Sequence, residues 1–536
     1  MANYGNSLKN RKRTPITEAV PGTAMVPNNG GGYGYVVDDF IRLQRFLILG
    51  SDGGTYYVGE RELTVQNAEC ITRCLNSDYK RAIDMIVNIS DQGRAPKNSP
   101  AVFALAMAAA HEGSNARECR KYALANLAKV CRIGTHLFEF TEYVTKMRGW
   151  GRLLRDGVAS WYTDMDEERL AYQVIKYPQR TITEGNASSA WSHKDILRLS
   201  RPSGNKNHQT IYNYIHSGEF KSRAESLAII AGTEKIKLAK NIDECVKLIS
   251  KYNLPHEVVP KQFANSKEVW ETLLPNLPAT ALIRSLGRMQ SYGLFENGSE
   301  SLRIALEKIS DVNWLKKSRM HPLNILIAQR TYTTAHGTKG NLTWTPNPQI
   351  TEALEKAFYN AFDYVEPSGK NLLIAVDISG SMISRFGTFN ISSCEVAAVL
   401  AMVAARREPS SYIVGFASQI VDLKITKNDT LESACKKCQG NWGSTNCAAA
   451  IDHAIQHRLN VDAFLIITDN ESNTGVHPAQ AIKQYRNQVN KPNAKLISLA
   501  TTSTRTTIND PNDFDCLDLV GFDTAVPELI TNFIRE

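Results

Sequence analysis

The stretch Leu372-Leu373-Ile374-Ala375-Val376-Asp377-Ile378-Ser379-Gly380-Ser381 decides how this chain is read. Five apolar residues run straight into a carboxylate and two hydroxyls spaced two apart. At the carboxyl end of a parallel strand, that spacing can turn three hard oxygen ligands toward one point. A second apolar run, residues 463–468, ends the same way on Asp469. Between them lies Gly440-Asn441-Trp442-Gly443-Ser444-Thr445-Asn446, a glycine-rich loop able to bring Thr445 to the same crest.

The surroundings agree with a sheet of this kind. Strand patterns at 372–376, 412–416, 463–468 and 494–500 alternate with helical patterns at 394–406, 448–458, 478–490 and 525–534. That alternation predicts an α/β domain, an open parallel sheet covered on both faces, over residues 366–536. Two carboxylates about 5 Å apart repel by ~3 kcal/mol at an effective dielectric near 20, and a divalent cation between them removes that cost. Magnesium takes six oxygens and usually keeps waters, which leaves a position for a partner's carboxylate. The plainer alternative is that the hydroxyls cap the following helix and the aspartates hold no metal.

Two other chemistries fit less well. A nucleophilic Ser379 or Ser381 lacks a Gly-x-Ser-x-Gly elbow and an evident histidine. Cys435-x2-Cys438 followed by His453-x3-His457 approaches zinc-finger spacing. The intervening segment is the loop that carries Thr445, and no apolar hairpin supports a finger.

Upstream the pattern changes. Residues 1–35 are polar, with Pro-Gly and Asn-Asn-Gly-Gly-Gly punctuation, and read as a flexible tail. Residues 36–365 read as helix after helix, at 101–111, 116–130, 152–162, 224–230, 242–252, 301–309 and 350–362 among others. Paired helices over such a length suggest an α-solenoid, although no repeat of fixed period is visible.

Charge separates the same two regions. Residues 371–536 carry 14 Lys+Arg and 17 Asp+Glu, leaving 48 of 62 basic and 37 of 54 acidic residues for the first 370. The excess positive charge therefore belongs to the helical part, which suggests a nucleic-acid partner there. No apolar run reaches membrane-spanning length, and Lys9, Arg11, Lys12 and Arg13 are not followed by a signal-peptide core. Ten cysteines without scaffold spacing fit a reduced, cytoplasmic protein.

Asp377, Ser379, Ser381, Thr445 and Asp469 together resemble the metal-ion-dependent adhesion site of von Willebrand factor A domains at all five positions. Helical repeats followed by such a domain resemble the Ro autoantigen (TROVE-domain) family. Supporting strings are Phe46-Leu47-Ile48-Leu49-Gly50-Ser51-Asp52-Gly53-Gly54-Thr55-Tyr56-Tyr57, Val130-Cys131-Arg132-Ile133-Gly134-Thr135-His136-Leu137-Phe138 and Trp191-Ser192-His193-Lys194-Asp195. Lys267-Glu268-Val269-Trp270, Thr468-Asp469-Asn470-Glu471 and Gly521-Phe522-Asp523-Thr524 match as well.

The resemblance implies a closed ring of HEAT-like helices joined by the A domain, binding RNA and without enzymatic activity. Small noncoding Y RNAs would bind the outer surface, and single-stranded 3′ ends of misfolded noncoding RNAs would enter the hole. It implies magnesium or another divalent cation at the adhesion site, with an acidic protein ligand, and a monomer with no membrane association. In a bacterial member, Y RNA would tether polynucleotide phosphorylase, an exoribonuclease. Lys176 and Arg180 resemble the family's Y RNA-contacting pair, and Arg201 stands where the family has a histidine. A four-residue spacing puts Lys176 and Arg180 on one helical face unless Pro178 breaks the helix, and residues 181–190 look inserted. Arg152, Arg155, His193, Lys194, Arg198, Arg284 and Arg288 are further RNA candidates, although a buried structural role suits His193 better. The competing reading is a protein-adhesion module whose helices are only structural.

Overall fold

Three largely apolar strands, Leu372–Asp377, Ala463–Thr468 and Lys495–Ala500, are buried along their full length, as the middle of a sheet covered on both faces requires. This computed structural model describes residues 13–184, 187–337, 341–361, 367–386, 391–408, 410–426, 428–439 and 443–536. The sheet order is Cys516–Val520, Lys495–Ala500, Ala463–Thr468, Leu372–Asp377, Ser411–Phe416 and Ile420–Val421. Neighbours run parallel except at Ile420–Val421, which folds back antiparallel on Ser411–Phe416. The two edge strands, Cys516–Val520 and Ile420–Val421, carry too short or too mixed an apolar pattern to have been foreseen.

Helices Ser393–Arg407, Ala449–Gln456, Pro478–Gln488 and Val526–Arg535 accompany the strands at the expected places. Ser393–Arg407 starts at a capping box, in which Ser392 and Glu395 exchange side-chain and backbone hydrogen bonds. Leu373, Ala375, Phe464 and Ile466 pack with Ile451, Ala454 and Tyr485 into one core. The Tyr485 hydroxyl donates to the Leu459 carbonyl at 2.6 Å, so burying it leaves no unmet donor.

The chain divides into two compact units, residues 1–70 with 362–536, and residues 71–361. The first differs from the expected boundaries at 35 and 365. Residues 13–35, expected as part of a flexible tail, are folded onto the α/β domain; residues 1–12 lie outside the described residues. Ile16 is buried and its N–H donates to the Gly475 carbonyl at 3.0 Å. Val26–Pro27 pairs antiparallel with Tyr33–Val36, which pairs in turn with Thr506–Thr507. The glycine-rich stretch supplies close approach: a Cβ at Gly32 would lie 2.2 Å from the Ser472 carbonyl oxygen. Helix Asp39–Leu49 follows, and its fully buried Arg45 donates to the carbonyls of Thr504 and Thr506 and pairs with Asp518.

The second unit is helical. Helices pack on their sequence neighbours, as in Pro322–Thr333 on Pro348–Asn360, and on helices three elements away, as in Ser99–Ala110 on Gly134–Met147 and Ala279–Ser291 on Pro322–Thr333. Its beginning and end meet. Arg319 pairs with Asp91 at 2.6 Å, His321 Nε2 lies 3.1 Å from the Arg94 carbonyl, and Asn324 donates to the Pro96 carbonyl at 3.2 Å. One hairpin interrupts the helices: Gln179–Glu184 pairs antiparallel with Ala187–Ser192, with 185–186 outside the described residues. The inserted-looking segment 181–190 is mostly this hairpin.

Candidate metal centre and nucleic-acid interface

The register that sets Val376 beside Ile467 brings the ends of both strands level, so Asp377 and Asp469 leave the sheet at one edge. Asp377, Ser379, Ser381, Thr445 and Asp469 are all buried. Asp377 Oδ1 accepts the Ser379 N–H at 3.0 Å, and Oδ2 accepts the Thr468 hydroxyl at 2.6 Å. The Ser379 and Ser381 hydroxyl oxygens lie 3.3 Å apart, and their side chains bond to Asp377 and Asp469 respectively. From the glycine-rich loop, whose residues 440–442 lie outside the described residues, the Gly443 carbonyl accepts the Gly380 N–H at 2.9 Å. Asn473 fixes the following turn by accepting the Thr445 N–H at 2.9 Å.

Burial, then the charge of Asp469, pushes the Asp377 carboxyl up to about 7. Burial raises Asp469 as well. Two carboxyls forced toward their neutral form beside three hydroxyls make an all-oxygen donor set that could hold a hard divalent cation. Among the described residues no group of three or more His, Cys, Asp and Glu side chains converges for a softer metal. Cys435, Cys438, His453 and His457 form no such group: the Cys438 thiol bonds to the Cys435 carbonyl, while the two histidine rings lie 4.5 Å apart, tilted 51° to each other.

Two residues beside this centre carried no functional signal in the sequence. Burial, then Asp469, raises the Tyr57 hydroxyl to about 12, and that hydroxyl bonds to Ser381. Glu471 is pushed up to about 7 by burial and by Asp469, and it accepts the Asn29 N–H at 2.6 Å and the Asn29 side-chain amide at 2.9 Å. Tyr57 belongs to the string 46–57, which sequence reasoning used as a family signature alone.

The basic candidates fall into three groups. Arg152, Arg198, Arg201, Arg284 and Arg288 are exposed and have no ion pair among the described residues. Arg155 is exposed and pairs with its neighbour Asp156. Lys194 donates to the His216 carbonyl at 2.9 Å.

His193 lies in the core instead of on a binding surface. It is 1% exposed, its Nδ1 lies 2.8 Å from the Tyr162 hydroxyl, and burial pushes its pKa down to about 4. Lys176 and Arg180 do not share a helical face. Helix Glu167–Lys176 stops before Pro178, and Arg180 sits on the hairpin opposite Trp191. Arg180 pairs with the buried Glu139 at 2.9 Å, whereas Lys176, largely buried, lies over the rings of Tyr172 and Tyr177. Arg201 ends its helix in the left-handed region, at φ 48°.

Comparison with known proteins covers both units. The family model described as TROVE domain matches residues 26–336, and that described as Ro60 vWA domain matches residues 371–534. The chain is 37% identical over 517 residues to RNA-binding protein RO60 of Deinococcus radiodurans, covering 95% of each. It is 31% identical to RNA-binding protein RO60 of Caenorhabditis elegans, covering 98% of this chain and 92% of the relative. The crystal structure of the Deinococcus radiodurans RO (RSR) protein is similar with a TM-score of 0.69 and 36% identity, covering 93% of this chain and 99% of that one. No helix among the described residues is long and apolar enough to cross a membrane.

Proposed function

The chain belongs to the Ro60 family of TROVE-domain proteins, and from that premise we propose that it is a non-enzymatic RNA-binding protein whose helical unit holds RNA. The observation that carries this reading is the family membership across both units, with relatives that are named RNA-binding proteins. The charge distribution supports it. Exposed guanidinium groups without carboxylate partners are free to neutralise phosphates and release counterions.

In the finer reading, Y RNA lies on the outer surface of the helical unit and single-stranded 3′ ends of misfolded noncoding RNAs enter a central opening. The contacts between residues 91–96 and 319–324 support a closed ring. Arg201 and the other exposed arginines would supply phosphate contacts, with Arg180 reaching RNA only by leaving Glu139. The protein would act as a cytoplasmic, monomeric scaffold, in a bacterium bringing polynucleotide phosphorylase to its substrates.

At the α/β domain, Asp377, Ser379, Ser381, Thr445 and Asp469 would hold Mg2+. When bound, the cation would neutralise the paired carboxylates and offer an open position to an acidic partner. The completeness of that donor set keeps protein adhesion as a second activity, compatible with RNA on the helices.

Gel-shift titration with structured noncoding RNA at several salt concentrations tests the main reading. If about six single-strand phosphates are neutralised, the log–log slope is near −4. Protein that is free of ribonuclease-sensitive nucleic acid and fails to shift RNA at low salt contradicts it.

A further inference from the structure

Helices Glu167–Lys176, Ile242–Tyr252, Lys267–Leu273 and Ala279–Ser291 contribute to the walls of a cavity of about 310 Å³ within the helical unit. Its chemistry is divided. Arg284 and Arg288, one turn apart on the same helix, and Lys176 supply three cations against a single lining carboxylate, Glu257. Leu254, Leu277, Tyr172 and Trp270 add apolar and aromatic surface to the same lining.

Two of the three cations lie against aromatic rings. The Arg288 guanidinium lies 5.7 Å from the Trp270 ring centroid, and the His256 ring lies 4.7 Å from the same ring. The Lys176 amine donates to the Tyr172 hydroxyl at 3.0 Å. Arg284 and Arg288 have no ion pair among the described residues, and His256 Nε2 is buried with no hydrogen-bond partner there. Cations without carboxylate partners among the described residues, beside apolar and aromatic surface in one cavity, call for a ligand that is anionic at one end and flat and weakly polar at the other.

We propose that this cavity binds one nucleotide unit, with its phosphate at Arg284 and Arg288 and its base along the wall of Tyr172 and His256. The volume, at the low end for small-ligand pockets, suits a mononucleotide. Asn253 and Asn276 also line the cavity, and an amide side chain can both donate to and accept from a base edge. The unit can be a free nucleotide or one residue of a strand. The strand form rests on the reading of the helical unit as an RNA surface; the free form does not.

The test is calorimetry on the full chain with adenosine 5′-monophosphate, single-stranded tetra-adenylate and inorganic phosphate. The nucleotide binds at one site, and Arg284→Glu weakens it by about tenfold or more while Arg284→Lys recovers part of the loss. The same charge change at Lys247→Glu, exposed on Ile242–Tyr252 and outside the cavity lining, leaves affinity unchanged. Binding of the mononucleotide but not the tetramer assigns a free nucleotide; binding of both assigns a strand residue. Inorganic phosphate binding as tightly as the nucleotide overturns the proposal, as does a folded Arg284→Glu protein with wild-type affinity. Structured RNA binding with no mononucleotide binding removes the cavity and spares the RNA reading; the converse result does the opposite.

Discussion

The metal face and the helical surface spend their polar groups in opposite ways. Around Asp377 and Asp469, carboxylates and hydroxyls are buried and bonded to one another, and the chain's own segments 13–37 and 50–59 close over the neighbourhood. On the helical unit, Arg152, Arg198, Arg201, Arg284 and Arg288 reach into solvent with no ion pair among the described residues. The first arrangement suits a small ion of fixed geometry. The second suits a long polyanion that makes many weak, interchangeable contacts.

The sharpest way to break the contrast is at the metal face. Asp377→Ala removes one of two charged donors, so magnesium affinity, read by terbium luminescence with magnesium competition, falls by about 100-fold or more. A loss below about threefold would mean that the cation, if bound, sits elsewhere. On the helical side the effect is distributed. Arg152→Ala with Arg198→Ala and Arg201→Ala weakens RNA by roughly ten- to a hundredfold and makes the salt slope shallower by about 2. A single substitution that abolished binding would instead indicate one anchoring contact.

The two regions also respond to pH with opposite sign. Asp377 and Glu471 titrate near 7 when folded, above their unfolded values, so the metal-free α/β unit holds protons the unfolded chain has lost. Its stability is greatest below about pH 4 and falls as pH rises toward 7, and saturating magnesium reverses much of the fall. His136 and His193 are pushed down to about 3 and about 4, chiefly by burial. The helical unit is therefore most stable above about pH 6.5 and loses on the order of 3 kcal/mol per histidine as pH falls through 4. Hydrogen exchange resolved by unit across pH 4–7 checks both slopes; parallel slopes would show that other groups dominate.

The smallest effect separates Lys176 from Arg180. Arg180→Ala leaves the buried Glu139 without its ion pair and costs about 1–3 kcal/mol of stability in denaturant titration. Lys176→Ala leaves no buried charge behind and costs about 1 kcal/mol. Equal losses would mean that the Arg180–Glu139 pair contributes little.

Legibility in the sequence followed the same divide. Four of the five candidate metal donors lie at or just beyond the ends of two apolar parallel strands, so alternation and spacing revealed fold and candidate site together. The order of segment 13–37 could not be seen, because Asn28 and Asn29 find their partners, Ser472 and Glu471, more than 440 residues away. The hairpin at 179–192 was hidden among helical patterns, with Pro178 and the inserted look of 181–190 its local signs. The buried structural role that suited His193 could be read from the sequence, but its cage of Phe138, Trp161 and Tyr162 could not be named, because those rings come from earlier helices. A cavity cut from four helices has no local sequence signature at all, which is why Tyr172, His256 and Trp270 went unnoticed beside Lys176, Arg284 and Arg288.

The central claim is a division of labour, ion binding on one unit and RNA binding on the other. Titrating folded Asp377→Ala with both magnesium and structured RNA, against the parent chain, tests it most directly. The account predicts that magnesium binding is lost while RNA affinity stays within about twofold, a change of less than 0.5 kcal/mol. Loss of both in a protein that retains its fold would contradict it.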